Sequence, residues 1–69
     1  MSNIIDSRLI GKAINALRLA NNLTQEELAD SFGCTTRSIR RYEANGVTSI
    51  AVVNDFAKYF GVSAIDILQ

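Results

Sequence analysis

The sequence predicts an all-α domain of five short helices, and three observations carry that prediction. The 69-residue chain has no proline, and its four glycines fall at 11, 33, 46 and 61, which favours helices joined by short turns. Apolar residues recur at spacings of three and four, the period of a helix that buries one face. Between those stretches stand Thr, Ser, Asn and Gly, the residues that cap helices and make turns.

Residues 1–7 show no strong period and are expected to be an N-terminal arm or a frayed start. From Arg8 the pattern is helical, with Ile10, Ile14 and Leu17 on one face and Ala13 beside them. Asn21 and Asn22 end that run, because asparagine tolerates the left-handed backbone that closes helices. Thr24 and Glu27 have the spacing of a capping box, and Leu23 and Leu28 sit where a hydrophobic staple would close over it. The second helix runs through Leu28, Ala29 and Phe32 to Gly33. Thr35 is the expected N-cap of a third helix, with Ile39 and Tyr42 inward, ending near the turn-forming 44–46 cluster. A fourth starts near Thr48 or Ser49, with Ile50, Val53, Phe56, Ala57 and Phe60 as its inner stripe and Gly61 as its stop. Ser63 caps a last helix, with Ile65 and Leu68 expected on its buried face. No repeat, linker or low-complexity stretch interrupts the chain, so 1–69 reads as one domain.

A hydrophobic fraction of 48% argues against disorder. Net charge is zero and the pI is about 6.1, which by itself counts against a nucleic-acid binder. Distribution reverses that argument. Arg37, Arg40 and Arg41 crowd one short segment, while Glu26, Glu27 and Asp30 lie in another, so a neutral domain can present one basic face. The single cysteine, Cys34, allows no internal disulfide, and the lack of histidine removes the usual zinc sites, so neither metal nor cofactor is expected. No convergent acid pair or glycine-rich phosphate loop suggests an enzyme, and no small-molecule substrate is implied. Apolar runs are too short to span a membrane, and the N-terminus lacks a signal-peptide pattern. A cytoplasmic, nucleoid-associated protein is the expectation.

The informative unit runs from Thr24 to Glu43. Two short helices separated by about three residues around Gly33 match the spacing of a helix-turn-helix. On a helical wheel of about 100° per residue, Thr36, Arg40, Arg37 and Arg41 fall at roughly 0°, 40°, 100° and 140°. Tyr42 and Ile39 fall at roughly 240° and 300°. One face is therefore apolar, and the other carries three guanidinium groups, which can bond guanine edges bidentately or pair with phosphate.

On these residues the chain resembles the Cro and phage-repressor (lambda-repressor-like) helix-turn-helix family. The resemblance rests on the segments 10–18, 23–29, 32–35, 38–43, 60–63 and 67–68, above all the Leu-Thr-Gln-x-Glu-Leu-Ala stretch and the later Tyr42-Glu43. It implies a five-helix bundle whose third helix enters the DNA major groove. Carried over residue by residue, it implies that Gln25 touches phosphate and braces the reader helix, and that Thr35 caps that helix and touches phosphate. Thr36, Arg37 and Arg41 would meet base edges, and Asn45, in the following loop, would donate to phosphate; Arg40 joins the DNA-binding candidates through its place on the basic face, as a phosphate contact. It also pairs Arg18 with Glu43 and makes Cys34 a small apolar filler. The loop after Glu43 departs from the pattern: its glycine comes later and the span to the next helix is one residue shorter. Tyr59 lies off the inner stripe, exposed or at a subunit contact. The implied function is a sequence-specific DNA-binding regulator, a Cro-like repressor of a phage or mobile element, acting on a double-stranded operator as a homodimer. Val62, Ile65 and Leu68 are the candidate dimer surface. The alternative is a helix-turn-helix interaction module that modulates another regulator with little DNA contact.

Overall fold

The computed structural model describes residues 6–68. Five helices follow one another: α1 (Ser7–Ala20), α2 (Gln25–Phe32), α3 (Thr36–Asn45), α4 (Ile50–Phe60) and α5 (Ala64–Leu68). There are no strands among the described residues. Local chemistry sets each boundary. The Asp6 carboxylate accepts from the Arg8 amide at 2.9 Å and starts α1. Of the expected arm, Ser7 is thus already helical, and 1–5 lie outside the described residues. The helix stops at Asn21, and Asn22 takes the left-handed conformation with φ of 57°. Thr24 and Glu27 form the capping box in both directions, at 3.0 and 2.8 Å. Ser49 caps α4, and Ser63 with Asp66 closes a reciprocal box on α5, at 3.4 and 3.3 Å.

The core gathers Ile10 and Ile14 from α1, Leu28 and Ala29 from α2, Ile39 from α3, Val53, Phe56 and Ala57 from α4, and Ile67 from α5. Phe56 is at its centre. Its ring stacks on Phe32 with centroids 4.1 Å apart and meets the edge of Tyr42 at 5.7 Å. Val47, in the α3–α4 loop, is also buried and plugs the core from that side.

Two glycines let α1 lie directly against the end of α3. A Cβ on Gly11 would stand 2.5 Å from the Tyr42 carbonyl oxygen and 3.0 Å from that of Glu43. A Cβ on Gly46 would fall on the Ser7 carbonyl, and its φ of 94° independently favours glycine. The glycine that comes late in the loop is therefore where the loop crosses the start of α1.

Two inward assignments are corrected. Ile65 is 61% exposed, and Ile67 is the buried residue of α5. At about 100° per residue Ile65 lies some 200° from Ile67, so burying one turns the other outward and leaves Leu68 at the edge. Ile50 is 51% exposed, although it lies three residues before the buried Val53. As the first residue of α4 it overhangs the core and forms the rim of a groove of about 120 Å³ bordered by Ser7, Ile10 and Val47.

Candidate nucleic-acid interface

The interface is built from the turn between α2 and α3. Gly33 takes φ of 95°, which reverses the chain within one residue, and its amide bonds the Ala29 carbonyl at 2.9 Å. Thr35 then caps α3: its hydroxyl accepts from the Ser38 amide at 3.1 Å. Cys34 packs against the core without being fully enclosed, so it is a partial filler. Burial pushes its thiol pKa up, which keeps the sulfur protonated and unreactive near neutrality.

From that start α3 presents two faces. Ile39 is buried and Tyr42 packs on the core. Arg37, Arg40 and Arg41 are exposed on the opposite side, and Thr36 is half-buried beside them. No carboxylate neutralises any of the three arginines among the described residues, where Arg18–Glu43 is the ion pair found. Arg41 also borders a groove of about 310 Å³ with Ser38, Asn45, Thr48 and Ser49, between the end of α3 and the start of α4. Asn45 is the last residue of α3 and exposed, which corrects its placement in the following loop. The helix includes Asn45 because the Gly46 amide still bonds the Tyr42 carbonyl, at 2.9 Å.

Glu43 fixes how α3 is held. Its side chain is only 7% exposed, and four hydrogen bonds converge on its carboxylate. Arg18 donates from Nε to Oε2 at 2.7 Å and from Nη2 to Oε1 at 3.2 Å, a bidentate pair. Asn15 Nδ2 and Gln25 Nε2 donate to Oε1 at 2.9 and 3.1 Å. Arg18 also reaches the Leu23 carbonyl at 2.8 Å, so one carboxylate on α3 gathers α1, the α1–α2 turn and the first residue of α2. Burial alone would raise the Glu43 carboxyl pKa. Hydrogen bonds from Arg18, Asn15 and Gln25, with the Arg18 charge, outweigh that and hold it below its usual value.

Gln25, expected to touch phosphate and to brace the third helix, is half-buried and tied to α3 through Glu43. The Asn15 donor was missed by sequence reasoning. Its signal was its position three residues before Arg18 on one face of α1. Tyr59 is exposed, as expected, while its ring meets Phe32 and Phe60 edge-on and its hydroxyl bonds Ser31. Val62 and Leu68 are half-buried against the core, and of the expected dimer residues Ile65 alone is exposed. No group of three or more potential metal ligands occurs among the described residues, and no helix there is long and apolar enough to cross a membrane.

The comparisons agree with this geometry. A family model described as Helix-turn-helix matches residues 14–67. Antitoxin PezA of Streptococcus pneumoniae serotype 4 (strain ATCC BAA-334 / TIGR4) is 39% identical over 62 residues, which are 87% of this chain and 39% of that protein. The chain therefore spans about two fifths of the length of this curated relative. No solved structure matches the chain. With the matched region running from the middle of α1 into α5, the chain belongs to the helix-turn-helix family of the Cro and phage-repressor type, a family of DNA-binding regulators.

Proposed function

We infer that the chain is a transcriptional repressor that reads a specific operator in the major groove with α3, as a homodimer. The observation that carries this reading is the outer face of α3, where three exposed arginines have no carboxylate partner among the described residues. A cation left unpaired on a helix whose other face is locked into the core is available to an external anion or base edge. In this reading Thr36, Arg37 and Arg41 meet base edges. Arg40, Thr35, Gln25 and Asn45 hold the phosphate backbone, and the protein works at the nucleoid. Ile65, with the exposed edges of Val62 and Leu68, forms the contact between subunits. In this reading the regulator is Cro-like and serves a phage or mobile element.

A second reading has one observation behind it. The relative is named an antitoxin and is more than twice as long as the matched region. In this reading the domain acts through a protein partner, with little direct DNA contact. Titration of mixed-sequence duplex DNA at low and moderate salt separates the readings. Salt-sensitive binding supports the first, and no binding at low salt leaves protein interaction as the function. Selecting preferred sites from a random duplex library then tests specificity and symmetry together. A palindromic consensus is the expected result, and an enriched pool without any consensus contradicts sequence-specific reading.

A further inference from the structure

The Glu43 carboxylate does more than pair with Arg18. Its Oε1 accepts from Asn15, Gln25 and Arg18 at 2.9, 3.1 and 3.2 Å. An ionised carboxylate has acceptor sites only, so it can face the amide nitrogen of Gln25 and not the amide oxygen. It therefore selects one of the two flips of that amide. Three donors on one oxygen also leave no site there for the second N–H of Gln25. That proton is left for a partner outside the network, at the first residue of α2.

We propose that Glu43 is a positioning residue for DNA binding, holding the Gln25 amide so that its second N–H is pre-set for a backbone phosphate oxygen. This rests on the reading of Gln25 as a DNA contact. A free glutamine loses its rotamer freedom when it binds, whereas one held by Glu43 has lost it on folding. The difference corresponds to about 3–10-fold in affinity. The contact is a neutral one, so removing it changes affinity without changing the number of counterions released.

The test is a double-mutant cycle with Gln25→Ala and Glu43→Gln, titrated against mixed-sequence duplex DNA over a range of salt. Each single variant should bind about 3–10-fold more weakly with the wild-type salt slope, and the double variant should bind no more weakly than Gln25→Ala. Losses that multiply in the double variant, or a flattened salt slope in Glu43→Gln, would show Glu43 acting on the attitude of α3 instead, and would overturn the proposal. No loss in Gln25→Ala would overturn the reading of Gln25 as a contact, and the proposal with it. If Glu43→Gln does not fold, the side-chain amide protons of Gln25 in the wild-type protein give the answer by NMR. One should be displaced in the free protein by its bond to Glu43, and the other should shift when DNA is added. Two protons that resemble those of an exposed glutamine and ignore DNA would overturn the proposal.

Discussion

At the scale of single residues, Arg18 and Glu43 link stability to function. Each is almost enclosed, and removing one leaves the other desolvated without its counter-charge. Arg18→Ala should destabilise the protein by about 1.5–3 kcal/mol in urea unfolding, the range for hydrogen bonds to charged groups. A change under about 0.5 kcal/mol, as at ordinary surface sites, would mean the pair carries nothing. The sign of its pH dependence follows from the depressed Glu43 carboxyl. The unfolded carboxyl titrates near the ordinary value of about 4.3. The stabilisation is therefore fully present above that value and is lost as pH falls through the lower folded value. Acid titration of stability should show this loss in the wild type and a smaller one in Glu43→Gln. Equal losses would place the acid-sensitive group elsewhere.

Gly11 and Gly46 act at the same scale through what they lack. Gly46→Ala has both a clash with the Ser7 backbone and an unfavourable φ, whereas Gly33 has a similar φ of 95° but open space around it. Left-handed backbone alone costs roughly 1–2 kcal/mol, and overpacking adds roughly 1–3 kcal/mol. Gly46→Ala should therefore lower the melting temperature more than Gly33→Ala. The reverse order would contradict the close crossing of the loop over α1.

At the scale of elements, α3 divides its residues by face, and substitutions should divide the same way. Arg37→Ala and Arg41→Ala should each cost about 1–3 kcal/mol on a selected site and narrow the gap between that site and random DNA. Arg40→Ala should weaken both duplexes alike and reduce the salt slope by about one. Equal losses on both duplexes for Arg37 and Arg41 would remove them from base readout. Much at this scale was legible in the sequence because caps are local. Asp6 apart, the residues that start and stop the helices, from Thr24 and Gly33 to Ser49 and Gly61, are recognisable from their immediate neighbours. Inward faces at helix ends were harder to read. Residues 64–68 make little more than one turn, so Ile65, Ile67 and Leu68 fit two orientations equally well, and contact with α1 and α4 decides between them. The Glu43 cluster was half legible. Its Arg18 partner and the brace by Gln25 came from family resemblance, whereas Asn15 lies 28 residues away and joins it only through the packing of α1 on α3.

At the scale of the whole molecule, zero net charge is compatible with DNA binding because the charges are sorted by element. One acid, Glu43, is consumed in the core-facing network, while Glu26, Glu27 and Asp30 stay on α2 and leave α3 basic. A single short helix reads too few base pairs for a useful specificity ratio, which is the physical argument for two subunits on one site. Ile65→Lys should leave monomer stability within about 0.5 kcal/mol, since the side chain is already exposed, yet weaken cooperative occupation of a palindrome. Unchanged occupation would move the subunit contact away from α5. The central claim, that α3 reads a defined sequence, is tested most directly by titrating one labelled palindrome, chosen from the random library, against mixed-sequence duplex at the same salt. The account predicts that the selected duplex binds at least about 1,000-fold more tightly, the lower end for specific recognition. Equal affinity for the two duplexes would contradict it.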